Sequence, residues 1–268
     1  MNKKAIQYVL YKLMFFLFLV PGNFIKAQTF KGIPIKLRNT IEKSISLKNP
    51  IRIGEYFIGL PYISNRLSKS NPEKIYFSFI DFDCVTFVEN VLALYYSEGV
   101  NIKFRDNLIK IRYNDSIFYE SRNHYLTSGL AKLVKLNLLS PINNQFNSKS
   151  IQKKISFLSK LTNDTYIDKA KIIAIENILS NKKIYYFDST IYLQIDSLIK
   201  NGDVIAFLSS RNDLDFKHVG FVYIKNNKKY ILHASQEKKI VCISKLTIDK
   251  YVLKNPTIKG FQIYRTKI

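Results

Sequence analysis

The chain has 268 residues, with 42 Lys and Arg against 20 Asp and Glu, a formal charge of +22. No Gly/Ser or Pro-rich linker or internal repeat interrupts it, which argues against a linked multidomain and a repeat architecture, and no apolar run after the first residues is long enough to cross a membrane. The cationic balance favours anionic partners: nucleic acid, acidic lipid head groups or carboxylate-bearing polymers.

The first residues read as an export leader. Lys3, Lys4 and Lys12 supply positive charge, Leu13 to Val20 is an apolar run, Pro21 and Gly22 break it, and Ala27 offers a small residue for cleavage. The alternatives are a buried N-terminal helix or an uncleaved anchor. Removing residues 1–27 of 268 leaves 241, a length one domain over 28–268 can absorb. Four lysines and no acid go with the leader, so the charge falls from +22 to +18. Export makes the expected location periplasmic or extracellular, with no stable membrane anchor after cleavage. It also takes nucleic acid from the front of the partner list. The lysines are scattered, which favours a generally basic surface over a binding stripe.

In chain order, Lys36 to Leu47 and Arg52 to Ile58 read as short helices, the second closed by Gly59 and Pro61. Val85, Val88, Val91, Leu92 and Tyr95 recur at helical spacing, with Thr86, Glu89, Asn90 and Ala93 on the other side. This predicts an amphipathic helix from Cys84 to about Ser97, capped by Asp83 and ended by Gly99. Phe104 to Tyr113, Thr127 to Leu139 and Tyr166 to Ser180 read as helices. Pro141 to Ser150 reads as a polar connection, and Lys154 to Leu158 as a strand. After Gly202, five short runs read as strands: Asp203 to Leu208, His218 to Ile224, Lys229 to Ala234, Lys239 to Ser244 and Gly260 to Arg265. Helices first and strands last indicate an α+β fold with an antiparallel sheet. Within 28–268 this gives a helical lead-in (28–80), a helical region with Cys84 (81–200) and a sheet (201–268).

Two cysteines in an exported chain raise the question of a disulfide. Cys242 lies in the apolar run Ile240 to Ile243, where a thiol acts as a small core residue. Cys84 lies at a helix start, where the peptide N–H groups and a nearby imidazole lower a thiol pKa and where the same N–H groups can hold an oxyanion. The alternative is a cysteine that only packs. The chain has three histidines. His218 opens a strand and His233 stands near the end of the next strand, which brings both rings to one end of an antiparallel pair. Nucleophile, base and orienting residue are the parts of a catalytic triad.

At these residues the chain resembles a known superfamily. Asp83-Cys84-Val85-Thr86-Phe87-Val88, His218-Val219-Gly220 and His233-Ala234-Ser235, in that order, resemble the NlpC-type papain-like cell-wall cysteine peptidases. Gly59-Leu60-Pro61-Tyr62, Phe82 to Glu89, Ser121-Arg122-Asn123-His124-Tyr125 and Asn201 to Ile205 point to the branch acting as N-acetylmuramoyl-L-alanine amidases. The resemblance runs from about residue 50 to the C-terminus. It lacks the branch's Asp-Trp pair after Tyr125 and a Pro-containing stretch at Lys183 to Thr190. It implies a papain-like fold, with Cys84 as nucleophile, His218 as base and His233 orienting it. It places Tyr62, Asp83, Arg122, His124 and Tyr125 on the substrate side. The implied partners are peptidoglycan fragments, with no cofactor and no metal. Two alternatives stand beside the amidase: a γ-D-glutamyl-diamino acid endopeptidase of the same superfamily, and an inactive wall-binding module. A zinc site built from His124, His218 and His233 lacks the usual ligand spacing.

Overall fold

Proline sets the two entry helices, because each starts directly after one, where a missing N–H costs nothing. These are α1 (Ile35–Ser46, after Pro34) and α2 (Ile51–Tyr56, after Pro50). The computed structural model describes residues 32–67, 71–143, 148–162 and 164–267. The leader expected over Met1 to Ala27 lies outside the described residues. No helix among them is long and apolar enough to cross a membrane.

The longest helix, α3 (Cys84–Ser97), is buried on nearly every side. The sequence pattern assigned Thr86, Glu89 and Asn90 to a polar face, and the structure corrects this. Asn90 donates to the Thr86 carbonyl at 2.7 Å, and Glu89 accepts from Arg112 of α4 (Asn101–Arg112) at 2.8 Å. The Asn90 amide nitrogen and the Glu89 carboxylate each find an internal partner, which is the condition for burying them, while Asn90 Oδ1 is buried without one. Next come α5 (Leu126–Lys135), the short strand β1 (Leu139–Pro141), β2 (Lys149–Gln152), α6 (Phe157–Leu161), α7 (Lys169–Ser180) and β3 (Lys183–Tyr186). Asn137, at φ 59°, ends the helical stretch earlier than its apolar pattern implies and turns the chain into β1. The strand expected at Lys154 to Leu158 is instead the approach to α6. The strand lies just before it, where Lys149–Gln152 pairs with Lys183–Tyr186 in a region read as a connection.

The C-terminal third follows the expected pattern: α8 (Tyr192–Ile195), β4 (Val204–Ser209), β5 (Phe216–Lys225), β6 (Lys228–Ser235), β7 (Ile240–Ile243), α9 (Ile248–Leu253) and β8 (Ile258–Thr266). Six strands form one antiparallel sheet in the order β1-β8-β4-β5-β6-β7. The fold is therefore mixed α+β, with helices against an antiparallel sheet. Alternation along β5 sends Phe221 to one face, where it meets Phe87 of α3 at 6.0 Å. Val222 goes to the other face, joining Phe207, Ile231, Phe261 and Ile263 against Ile248 and Val252 of α9. The free edge of β7 is covered by the segment after α2, which Gly59 turns at φ 90°. Gly59 N–H donates to Val241 O, and Tyr62 N–H to Lys239 O, both at 2.8 Å. Covering the edge removes a template for strand addition, and it carries Tyr62 to the end of the sheet.

Candidate active site

The head of α3 is fixed by a reciprocal cap. Thr86 N–H donates to the Asp83 carboxylate at 2.7 Å, and Asp83 N–H donates to Thr86 Oγ1 at 2.9 Å. The cap spends Asp83 on the helix and leaves Cys84 as the first helical residue. The Cys84 thiol is half-buried and receives the backbone N–H of Val219, together with those of Cys84 and Val85. That contact ties the helix start to β5 beside His218. Tyr62 reaches the same place, because its backbone bridges Phe82 and its phenol lies in the field of Cys84 and Asp83.

The two imidazoles meet as their strand positions imply. His218 Nε2 and His233 Nδ1 are 2.5 Å apart and share one hydrogen. His218 is the third residue of β5 rather than the first, because the strand begins at Phe216 with an irregularity between Phe207 and Leu208 on β4. Gly220 makes the meeting possible. A Cβ there would lie 2.9 Å from the Leu232 carbonyl oxygen and 3.0 Å from the His233 Cβ, so any side chain would push β6 and its histidine away.

The electrostatics differ from the expectation of an activated thiolate. Burial, then the Asp83 carboxylate, push the Cys84 thiol up to about 12, and the three backbone N–H groups recover only part of this. Burial, then the neighbouring His233, hold His218 well below 6.5. Burial holds His233 at about 4 against the opposing pull of Glu237. Burial therefore opposes charge on the thiol and on both imidazoles.

Two residues around the histidines carried no signal in the sequence. Phe207 stacks on His218 at 6.1 Å and 21°, and Tyr251 of α9 stands edge-on to His233 at 6.1 Å and 87°. Phe207 could have been found from the β4–β5 register, in which it opposes His218. Tyr251 could not, because the six-residue helix that carries it is too short for a periodic pattern. Next to the rings lies a cleft of about 590 Å³ lined by His218, His233, Tyr251, Cys242, Glu237, Lys217, Lys238 and Lys245. Cys242 pairs with His233 across β6 and β7 and is half-buried against this cleft, so it is not the core residue its apolar run implied. Both cysteines are free.

The remaining expected residues lie in internal networks, and Tyr125 also lines a small cavity with Val85 and Val219, the chain neighbours of Cys84 and His218. Arg122 donates to Glu73 and, at 2.8 Å, to the Leu67 carbonyl, and its guanidinium stacks on Tyr119 at 5.1 Å. His124 Nε2 bonds the Tyr119 carbonyl at 2.7 Å, and burial beside Arg122 holds it at about 3. Tyr125 donates to Glu176 at 2.6 Å and accepts from Leu158 N–H. A buried cation or hydroxyl with internal partners holds chain segments together, and the three residues tie down Leu67, Glu73, Tyr119, Leu158 and Glu176. His124 does not join the other two histidines, and no group of three potential metal ligands occurs among the described residues.

Comparison with known proteins places this geometry. Among curated proteins, none matches the sequence. Two solved structures of N-acetylmuramoyl-L-alanine amidases from Bacteroides uniformis are similar. One shares 30% identity, with a TM-score of 0.76 over 82% of this chain and 100% of that one. The other shares 28%, with a TM-score of 0.75 over 87% and 100%. A structure described as a xylanase from Bacteroides fragilis is 27% identical, with a TM-score of 0.74 over 80% and 98%. A Legionella pneumophila protein at 20% identity and a TM-score of 0.67 shares the fold. The model of the AmiA-like, N-acetylmuramoyl-L-alanine amidase-like family matches residues 52–258, a span that includes Tyr62, Cys84, His218, His233 and Tyr251. The chain belongs to the AmiA-like, N-acetylmuramoyl-L-alanine amidase-like family.

Proposed function

We propose that this protein is a peptidoglycan amidase that hydrolyses the amide between the lactyl group of muramic acid and L-alanine, with Cys84 as nucleophile. The observation that carries the reading is the thiol at the head of α3, held by the Val219 N–H beside a hydrogen-bonded histidine pair. Family membership supplies the bond class.

With His218 Nε2–H donating to His233 Nδ1, His218 Nδ1 is left with a lone pair for the thiol proton. A resting thiol held near 12 and an imidazole held low do not form a standing ion pair. The proton therefore leaves sulfur as the carbon–sulfur bond forms. Backbone N–H groups at the α3 terminus receive the oxyanion. His218 then returns the proton to the departing L-alanine nitrogen, and water attacks the thioester with His218 as base. Tyr62, beside Cys84 and Asp83, lines the substrate side. The arrangement of nucleophile helix and histidine strands supports placing the chain in the NlpC-type papain-like superfamily. The cleft with Lys217, Lys238 and Lys245 beside the histidines suits a substrate bearing carboxylates. The leader reading of residues 1–27 supports action outside the cytoplasm.

Mass spectrometry of products from a purified disaccharide-peptide tests the reading. Free peptides that start at L-alanine are expected. A disaccharide that keeps an L-Ala-D-Glu stub means an endopeptidase, and binding without products means a wall-binding module.

A further inference from the structure

Four aromatic rings from four different elements close on one another at the site. Phe207 of β4 stacks on His218 of β5 at 6.1 Å and 21°. His218 meets His233 of β6 at 4.8 Å and 77°. His233 meets Tyr251 of α9 at 6.1 Å and 87°, and Tyr251 returns to Phe207 at 5.1 Å and 49°. Three of the rings sit on neighbouring strands whose register fixes their spacing. The fourth is carried by a helix anchored through Ile248 and Val252 in the same apolar cluster that contains Phe207.

The circuit matters because the polar anchoring of the pair is thin. His233 is held to His218 through Nδ1, and its Nε2 has no hydrogen-bond partner among the described residues. His233 itself lines the open cleft. A rotation of the His233 ring would place a carbon where Nδ1 now meets His218 Nε2, and His218 would lose the contact that fixes its own angle and tautomer. A ring standing at right angles against His233 resists that rotation by packing, which is steeply repulsive at contact. Tyr251 is the ring in that position.

We propose that Tyr251 is a positioning residue whose ring, through His233 and Phe207, holds the His218 imidazole at the angle needed to take the Cys84 proton. The inference rests on the proposed proton exchange between Cys84 and His218, and not on which wall amide is cut. It assigns the work to the ring and not to the phenol hydroxyl, so phenylalanine should replace tyrosine and an aliphatic residue should not.

The test compares Tyr251→Phe and Tyr251→Leu with the unaltered protein in two measurements. One is the rate at which chloroacetamide alkylates Cys84, followed by peptide mapping that separates it from Cys242. The other is kcat and KM on a disaccharide-peptide. Expected for Tyr251→Leu is a fall of about 10-fold to 10²-fold in both the Cys84 alkylation rate and kcat, the range for a mispositioned general base, with KM changed less than about twofold. Tyr251→Phe should stay within about twofold of the unaltered protein in every measure, the mark of an interaction made through the ring. If Tyr251→Leu keeps both rates, or if Tyr251→Phe falls as far as Tyr251→Leu, the inference is overturned while the cysteine mechanism stands. If Cys84 in the unaltered protein reacts no faster than Cys242, the cysteine mechanism itself fails and takes the inference with it.

Discussion

Acid should unfold this protein through its histidines, and the effect can be isolated at His233. Its side chain is 3% exposed and burial holds it at about 4, against about 6.5 in an unfolded chain. Between those values the unfolded state binds the extra proton, so stability is fully present above 6.5 and is lost as pH falls through the window toward 4. At pH 5 the loss from this one residue is about 1.5 pKa units, or roughly 2 kcal/mol at about 1.36 kcal/mol per unit. That is a large share of a net stability of about 5–15 kcal/mol. Glu89, Asp203 and Asp215, which burial pushes up, act with the opposite sign, so total stability against pH is not diagnostic. The diagnostic quantity is the difference between unaltered protein and His233→Gln. Urea unfolding at pH 7.5 and pH 5 should show the unaltered protein losing about 2 kcal/mol more than the variant over that interval. Equal losses in the two proteins would refute the argument that His233 is buried as the neutral ring.

Three other variants separate chemistry from architecture. Gly220→Ala should cost about 1–3 kcal/mol by overpacking against the Leu232 carbonyl and His233. It should also lower kcat in the fraction that remains folded, as calorimetry and initial rates will show. Tyr125→Phe strands the Leu158 N–H and leaves Glu176 with the Ser159 N–H, so it should lower stability by about 1–3 kcal/mol with kcat and KM unchanged; a raised KM would return Tyr125 to the substrate cleft. Lys238→Ala with Lys245→Ala should raise KM for substrate with free carboxylates and leave KM for the amidated form unchanged. Equal effects on both forms would mean the cleft does not read that charge.

The α+β order, the helix that begins at Cys84 and the histidine hairpin were legible because each rests on a local signal. Asp83 with Thr86 caps a helix, alternation marks β5 and β6, and antiparallel pairing places His218 and His233 at one end. The region from residue 139 to 186 was less legible, since Lys149–Gln152 becomes a strand through pairing with a segment more than 30 positions away. The setting of Arg122, His124 and Tyr125 was less legible for a related reason. A short string such as Arg122-Asn123-His124-Tyr125 reads the same whether it lines a cleft or ties down a loop, and Glu73 and Glu176, which decide the matter, are distant in the chain. The state of the thiol was also out of reach. A helix terminus lowers a thiol pKa, but the depth of burial and the approach of Asp83 are three-dimensional facts and here they prevail.

Turnover by Cys84→Ala, read as released L-alanine-terminated peptide with the circular dichroism spectrum checked against the unaltered protein, tests the central claim most directly. The account expects a folded protein with no product above the uncatalysed rate. A folded variant that still releases that peptide would contradict it.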